Sequence, residues 1–315
     1  MSKILIISGP TASGKSALAI ALAKKINGII INGDALQIYQ ELRILTARPD
    51  EADERQVPHA LYGFHSILNP YAVTDWLRDI KPVIETAWRK GQMPIIVGGT
   101  GFYLHALLHG LAPVPDVPET IRAATMALYE NLGHDAFRAQ LRDIDPVLAE
   151  TIKPNDRQRL VRAMEVYQAT GQPLSFWQQQ PRVTLFPDLQ SHAILLDPPR
   201  DILYERINQR FEKMIQAGAL TEAHEVEKLN PDPALPGCKA LGLAPLRDYI
   251  KGKITLPEAI EIGQTTSRQY AKRQVTWLRT QWIESAAHKI IMLQDLDERI
   301  QEMALRKVIN WIEKN

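Results

Sequence analysis

Residues 9–16 read GPTASGKS and fit the pattern GxxxxGK[ST], with a short apolar run before them and a helical stretch after. That context is the one phosphate binding requires. Glycines let the backbone of Gly9, Pro10, Thr11, Ala12, Ser13 and Gly14 wrap with its amides pointing inward, and the helix that follows adds positive potential at its amino end. Lys15 supplies a full charge, and the Ser16 hydroxyl suits a magnesium ion. The loop is built for a polyphosphate.

Such a loop says what is held, not what is done to it. The next strand ends in Asn32-Gly33-Asp34, which puts a carboxylate at the carboxyl edge of the sheet, where open α/β folds bind ligands. Asp34 therefore faces the phosphate site as a general base, a magnesium ligand or a cap for the segment after it. A third strand delivers Gly98-Gly99-Thr100-Gly101 to the same edge. The glycines permit close backbone approach, and the Thr100 hydroxyl donates to an oxygen, orients a base or caps a helix. Asp197 ends a further apolar run, the place where a hydrolysing ATPase holds magnesium, but Pro198 and Pro199 after it favour a cap or an ion pair with an arginine.

Two basic stretches lie far from this loop in sequence. Within residues 153–167, Arg159 and Arg162 stand three apart on one helix face and Gln158 and Arg162 four apart, while Leu160, Met164 and Tyr167 turn inward. Within residues 267–282, Arg268 and Lys272 stack at i, i+4, with Arg273, Gln274, Trp277 and Arg279 nearby. Arginines mixed with Gln, Tyr and Trp supply phosphate contact and base stacking, the latter worth ~1–3 kcal/mol per base. The plainer reading is two amphipathic helices with solvated faces. In a chain with 37 Lys and Arg against 36 Asp and Glu, a formal charge of +1, the two together read as a concentrated polyanion surface rather than a basic coat.

The elements that position these residues follow from alternation of β-branched runs with helical stretches, the pattern of a mainly parallel α/β sheet. Strands are expected at 3–8, 28–31, 93–97 and 192–196, with a helix at 16–26. Residues 118–181 are rich in Ala, Leu, Arg and Glu at helical spacing, broken at Gly133, Pro146, Pro154 and Gly171. The expected organisation is an α/β core of residues 1–115 and 183–315, resembling P-loop NTPases, with an all-helical insertion at 116–182. After Asp197 the chain reads as helical almost to its end, apart from the loop PDPALPGC at 231–238. With 315 residues, 45% hydrophobic and 23% charged, the chain has ample material for a core, and disorder and coiled coil are poor readings. No apolar stretch nears the roughly 18 residues of a membrane span, and one cysteine, Cys238, excludes an intrachain disulfide or a multi-cysteine zinc site. A soluble, cytoplasmic protein without membrane contact is expected, acting as a monomer.

At this point the residues resemble the bacterial tRNA dimethylallyltransferases, or tRNA isopentenyltransferases, from about residue 3 to 281. Several blocks carry the resemblance in order: GPTASGKS; GDALQIYQELRILTARP at 33–49 with VPHALYGF at 57–64; GGTGFYLHALLHGL at 98–111; NDRQRLVRAMEVYQATGQPLS at 155–175; RINQRFEKMIQAG at 206–218; and RQYAKRQVTWLR at 268–279. The resemblance implies transfer of a dimethylallyl group from dimethylallyl diphosphate to the exocyclic amine of the adenosine 3′-adjacent to the anticodon. It implies the diphosphate on the loop, with Mg2+ assisting its departure, Asp34 as the base and Thr100 assisting at the reaction centre. Asp34, Ala35, Leu36, Gln37, Thr100, Arg122, Gln158, Arg159, Leu160, Val161 and Arg162 match tRNA-contact segments, to which the block with Arg268, Lys272, Arg273 and Gln274 is added. Arg206 and Arg210 fall in a block whose arginines approach the diphosphate, and the sequence does not choose between them. The chain departs from the family pattern at Ala35, where serine is common, at residues 43–46 (RILT in place of Asp-Ile-Gly-Thr), and at Leu243, where tyrosine is common.

Two other classes share the loop. A small-molecule or nucleoside kinase would use Asp34 as base for a hydroxyl, yet has little use for the Trp-rich basic stretch. An RNA-binding regulator without chemistry leaves the convergence of Asp34 and Thr100 unexplained.

Overall fold

The run KILIIS forms strand β1 (Lys3–Ser8) with all six residues buried. Its side chains alternate between two cores, Ile4 and Ile6 on one face and Leu5 and Ile7 on the other, as a central strand covered on both faces requires. The computed structural model describes residues 2–282, 284–294 and 298–313. The other strands are β2 (Gly28–Asn32), β3 (His59–Ala60), β4 (Met93–Gly98), β5 (Gln190–Leu196) and β6 (His288–Leu293). They form one sheet, in the order β3-β2-β4-β1-β5-β6, with every pairing parallel. Register brings Ser8 opposite both Gly98 and Leu195, so the loops that leave β1, β4 and β5 start from one edge.

The chain divides into two compact units, one of residues 1–108 and 185–315, the other of residues 109–184. In the first, α1 (Lys15–Lys25), α2 (Glu51–Gln56), α3 (Val73–Arg89) and α4 (Gly101–His109) alternate with the early strands. In the second are α5 (Glu119–Ile144), α6 (Pro146–Thr151), α7 (Arg157–Thr170) and α8 (Leu174–Gln179). The first then resumes with α9 (Arg200–Gln216), α10 (Ala219–Leu229), α11 (Leu243–Ile250), α12 (Leu256–Gln281) and α13 (Glu298–Glu313). Trp76, Ile80 and Ile84 of α3 and Leu104 of α4 cover one sheet face; Leu18 and Leu22 of α1 with Ala304 and Val308 of α13 cover the other. No helix among the described residues is long and apolar enough to cross a membrane.

The second unit is helical because its breaks fall where the sequence puts them. Gly133 takes φ 74° and kinks α5, Pro146 starts α6, and Gly171, at φ 70°, ends α7 in the left-handed conformation. Phe137, Leu141, Leu160, Ala163 and Met164 form its core. Two polar groups, one buried and one half-buried, lock the turns. Asp145, 1% exposed, accepts from the backbone N–H groups of Leu148 (3.1 Å) and Ser175 (2.9 Å). Arg138 donates to the carbonyls of Ala149, Ile152 and Lys153 at 2.7, 2.8 and 2.9 Å.

The expectation of helix almost to the end after Asp197 is corrected by β6, which pairs with β5 from Ser191↔His288 to Leu196↔Leu293. A run of four apolar residues, as in HKIIML, carries no period that separates strand from helix. Only the open edge beside β5 decides it. The two-residue β3 was likewise absent from the expected strands.

Replacing Asp145 with alanine leaves two part-buried N–H groups without this acceptor, so Asp145→Ala should destabilise the helical unit by ~1–3 kcal/mol. Hydrogen exchange should show lost protection confined to residues 109–184; unchanged protection there would contradict the locking role.

Candidate active site

The site grows out of the strand ends. Gly33 donates its N–H to the Val97 carbonyl at 2.8 Å, and a Cβ on Gly98 would stand 2.1 Å from the Gly33 oxygen, so residue 98 must be glycine for the loops after β2 and β4 to meet. At the neighbouring strand, Gly14 takes φ 92°, which turns the loop after β1 into α1. Lys15 then points back over that loop and donates Nζ to the carbonyls of Gly9 (2.9 Å) and Pro10 (2.7 Å).

Asp34 sits in a turn fixed by Asn32. The fully buried Asn32 accepts from the Asp34 N–H at 2.8 Å and donates Nδ2 to the carbonyls of Asp34 and Leu61, each at 3.0 Å. One Asp34 carboxylate oxygen accepts from the Leu36 N–H at 2.9 Å, a local turn and not a helix cap, because no helix begins there. The Thr100 hydroxyl accepts from the Ala35 N–H at 2.9 Å and is hydrogen-bonded to the Tyr270 side chain. Thr100 and the Asp34 turn are thus joined through residue 35.

A cavity of about 410 Å3 opens at this edge. Thr11, Ala12, Ser13, Gly14, Lys15, Ser16, Asp34, Leu36, Gln37, Arg206, Arg210, Tyr270 and Gln274 all line it. At its polar end Arg210 donates to the Thr11 hydroxyl. Burial pushes Lys15 down to about 8; Arg210 lowers it further, and Asp34 opposes both. Burial also pushes Arg210 down to about 10, again opposed by Asp34. Cations that are costly to keep charged in an empty cleft become favourable once an anion arrives. Leu36, Leu45, Phe211, Met214 and Leu241 add an apolar wall. One cavity offers both an anion site and a place for hydrocarbon.

Several of these residues escaped the sequence reading. Lys213, Phe211, Met214 and Tyr270 line the cavity, and Asn32 builds the Asp34 turn. A signal existed for Lys213, which follows Arg206 and Arg210 at i+7 and i+3 on α9, the same helical face.

The remaining expected residues are not gathered at the cavity. Arg122, Gln158 and Arg159 are exposed in the helical unit, and Arg162 is half-buried there beside Glu165 (3.3 Å). Arg122 and Arg159 carry only loose pairs, to Glu119 (3.9 Å) and Asp156 (3.3 Å). Leu160 and Val161, 0% and 3% exposed, are corrected as RNA contacts: their side chains fill the core of that unit. On α12, Lys272 and Arg273 are exposed, whereas Arg268 is spent on Asn208 (2.5 Å) and Thr265 (2.8 Å). Gln274, 7% exposed, is likewise withdrawn from the surface. Trp277 lies against Gly101, where an added Cβ would come within 2.2 Å of its ring, so one face of that ring is covered, and the residue also lines a surface groove with Lys272 and Arg273. Asp197 holds Arg279 through both carboxylate oxygens, at 2.9 and 3.1 Å, the second of the two roles, cap or ion pair, expected for it.

Comparison with known proteins gives two family matches, IPP transferase over residues 37–281 and Isopentenyl transferase over residues 2–59. A tRNA dimethylallyltransferase of Parvibaculum lavamentivorans is 47% identical over 90% of this chain and 90% of its own, and one of Granulibacter bethesdensis is 41% identical over 98% of each. Among solved structures, a tRNA isopentenylpyrophosphate transferase from Bacillus halodurans shares 31% identity at a TM-score of 0.67, covering 99% of this chain and 96% of its own. A eukaryotic dimethylallyltransferase acting on tRNA aligns at a TM-score of 0.80 with 25% identity, covering 100% of this chain and 80% of its own. A phosphate loop whose cavity continues into an apolar wall agrees with these relatives, and the chain belongs to the IPP transferase family.

Proposed function

We propose that this enzyme transfers the dimethylallyl group of dimethylallyl diphosphate to the N6 amine of the adenosine 3′-adjacent to the anticodon of tRNA. The observation that carries this reading is the continuity of the cationic end of the cavity with its apolar wall. A kinase of a small polar substrate needs the first and has no use for the second, and nothing in the relatives favours a kinase.

In this reading the loop from Gly9 to Ser16, with Lys15, Arg206 and Arg210, binds the diphosphate. Arg210 already donates to the Thr11 hydroxyl of the loop. Leu36, Phe211 and Met214 hold the five-carbon chain and exclude water from it. The carbon–oxygen bond breaks with its electron pair leaving on the diphosphate, a carbon–nitrogen bond forms, and the amine proton passes to the Asp34 carboxylate. Positive charge on the leaving group and orientation of the acceptor are the main requirements. The weakly basic adenine amine needs a base as it attacks, and its base must be unstacked to reach the pocket. Thr100 orients the acceptor beside Asp34. The exposed Arg122, Gln158, Arg159 and half-buried Arg162, with Lys272 and Arg273, supply phosphate contacts to the anticodon stem-loop, Gln37 contacts it at the cavity, and Ala35 contacts it beside Asp34.

A magnesium ion fits the donor set. Among the described residues no cluster of three His, Cys, Asp or Glu forms, but Ser16 and Asp34 line one cavity, which suits a hard cation completed by water and phosphate oxygens. Ser16 would hold it, and when bound it would neutralise charge on the leaving diphosphate.

The direct test is mass analysis of tRNA nucleosides after incubation with labelled dimethylallyl diphosphate; labelled N6-prenyladenosine is expected, and ATP consumption without it would overturn the reading. Asp34→Asn should lower kcat by roughly 100-fold or more while both substrates still bind. Lost tRNA affinity with preserved turnover would remove Asp34 from proton transfer. Because burial holds Lys15 at about 8 in the empty site, kcat/KM for the donor should fall as pH rises through about 8, whereas kcat at saturating donor should fall less, since bound diphosphate restores the charge. A flat profile from pH 7 to 9.5 would contradict this. Arg162→Ala should reduce the slope of log affinity against log salt by about one, with the larger loss at low salt. An unchanged slope would take Arg162 off the RNA surface.

A further inference from the structure

α12 buries one continuous stripe, Ala259, Gly263, Ser267, Ala271, Gln274 and Leu278. Gln274 is the long polar member of that stripe, and both ends of its amide are engaged with backbone. Its Oε1 accepts from the Thr11 N–H at 2.8 Å, and its Nε2 donates to the Gly99 carbonyl at 2.9 Å. The fit is tight: a Cβ on Gly99 would stand 2.1 Å from Nε2. One side chain therefore closes on two loops that leave different strands, the loop after β1 and the loop after β4 that carries Thr100. Tyr270, one turn earlier, is hydrogen-bonded to Thr100 itself.

Only a primary amide of this length serves both partners. A carboxylate accepts from Thr11 but has no proton for Gly99, and a methionine of similar volume does neither. The bond to Gln274 also takes the Thr11 N–H out of the set of amides free to face an anion, while the Thr11 hydroxyl takes Arg210. Thr11 is thus fixed from α9 and from α12 at once.

The geometry points to Gln274 as a positioning residue of the transfer reaction, a buried amide crosspiece that sets the spacing between the donor-gripping loop and the Thr100 loop rather than a contact for RNA. This rests on the prenyl-transfer reading above. Without the crosspiece, the Thr11 end of the loop and the Gly99–Thr100 segment lose their common reference. The Asp34 turn is joined to that segment through Ala35 and loses it as well. A displacement on the order of 1 Å between reacting groups costs about 100-fold in rate.

Gln274→Met and Gln274→Glu, made in the full chain, test this with dimethylallyl diphosphate and tRNA under steady-state conditions, alongside equilibrium tRNA binding. Gln274→Met should lose about 10- to 100-fold in kcat and show a raised KM for the donor, with KM and binding affinity for tRNA unchanged. Gln274→Glu keeps the Thr11 bond and should fall between Met and wild type. A rise in KM for tRNA at unchanged kcat would make Gln274 an RNA contact and overturn the proposal, as would full activity of Gln274→Met. If a thermal melt shows that the Met variant does not fold, the Glu variant decides, and a wild-type kcat in it overturns the proposal. Absence of prenyl transfer by the wild-type enzyme would instead count against the reaction assigned above, which keeps the two failures apart.

Discussion

Lys15 and Arg210 line one cavity together, each desolvated and each lowered from its ordinary range, with Asp34 the counter-charge that opposes the shift in both. Much else at the sheet edge serves to keep this arrangement in place. The left-handed Gly14 starts α1 where Lys15 can fold back over the loop, Asn32 holds the Asp34 turn, and Arg210 reaches the Thr11 hydroxyl from α9. Without an anion the arrangement is electrostatically unfavourable, so Lys15 spends its donors on the carbonyls of Gly9 and Pro10. In the proposed reaction a diphosphate would supply the missing charge, and the cleft would be matched to the ligand that also serves as leaving group.

The parallel sheet makes this possible by bringing loops from distant parts of the sequence to one edge. Residues 11, 34 and 100 meet because β1, β2 and β4 end in register, and α12 closes over them from near the far end of the chain. The glycine at 98 is a condition of that meeting, since any side chain there would strike the Gly33 backbone. The helical unit keeps its own core and its own polar locks, Asp145 and Arg138, so its exposed basic side chains are carried on a stable scaffold.

Much of this was legible in the residues. The strands at 3–8, 28–31, 93–97 and 192–196 emerge with ends shifted by at most two residues, because each is a buried β-branched run bounded by Gly, Pro or Asn. β6 was not legible, since its short apolar run has no period of its own and becomes a strand only by pairing with β5. Asp34 and Thr100 could be placed because strand ends in open parallel sheets fix where loops emerge. Gln274 was read as part of a basic, RNA-facing block because its neighbours Lys272 and Arg273 are exposed, yet the spacing 259, 263, 267, 271, 274, 278 already puts it on the buried stripe of α12. Leu160 and Val161 were carried into an RNA-contact segment by resemblance, although their apolar side chains belong to a core. The apolar wall at Phe211 and Met214 could not be read as a substrate surface, because a buried hydrophobe facing a ligand and one facing a neighbour look the same in sequence.

The claim on which the account turns is that the loop after β1 grips a diphosphate that departs with the oxygen while the carbon chain goes to nitrogen. Dimethylallyl diphosphate labelled with oxygen-18 in the carbon–oxygen–phosphorus bridge tests this in one turnover. All of the label should appear in released diphosphate, together with tRNA whose adenosine has gained the unlabelled hydrocarbon. Label retained with a free alcohol, or RNA that gains phosphate and no hydrocarbon, would contradict it.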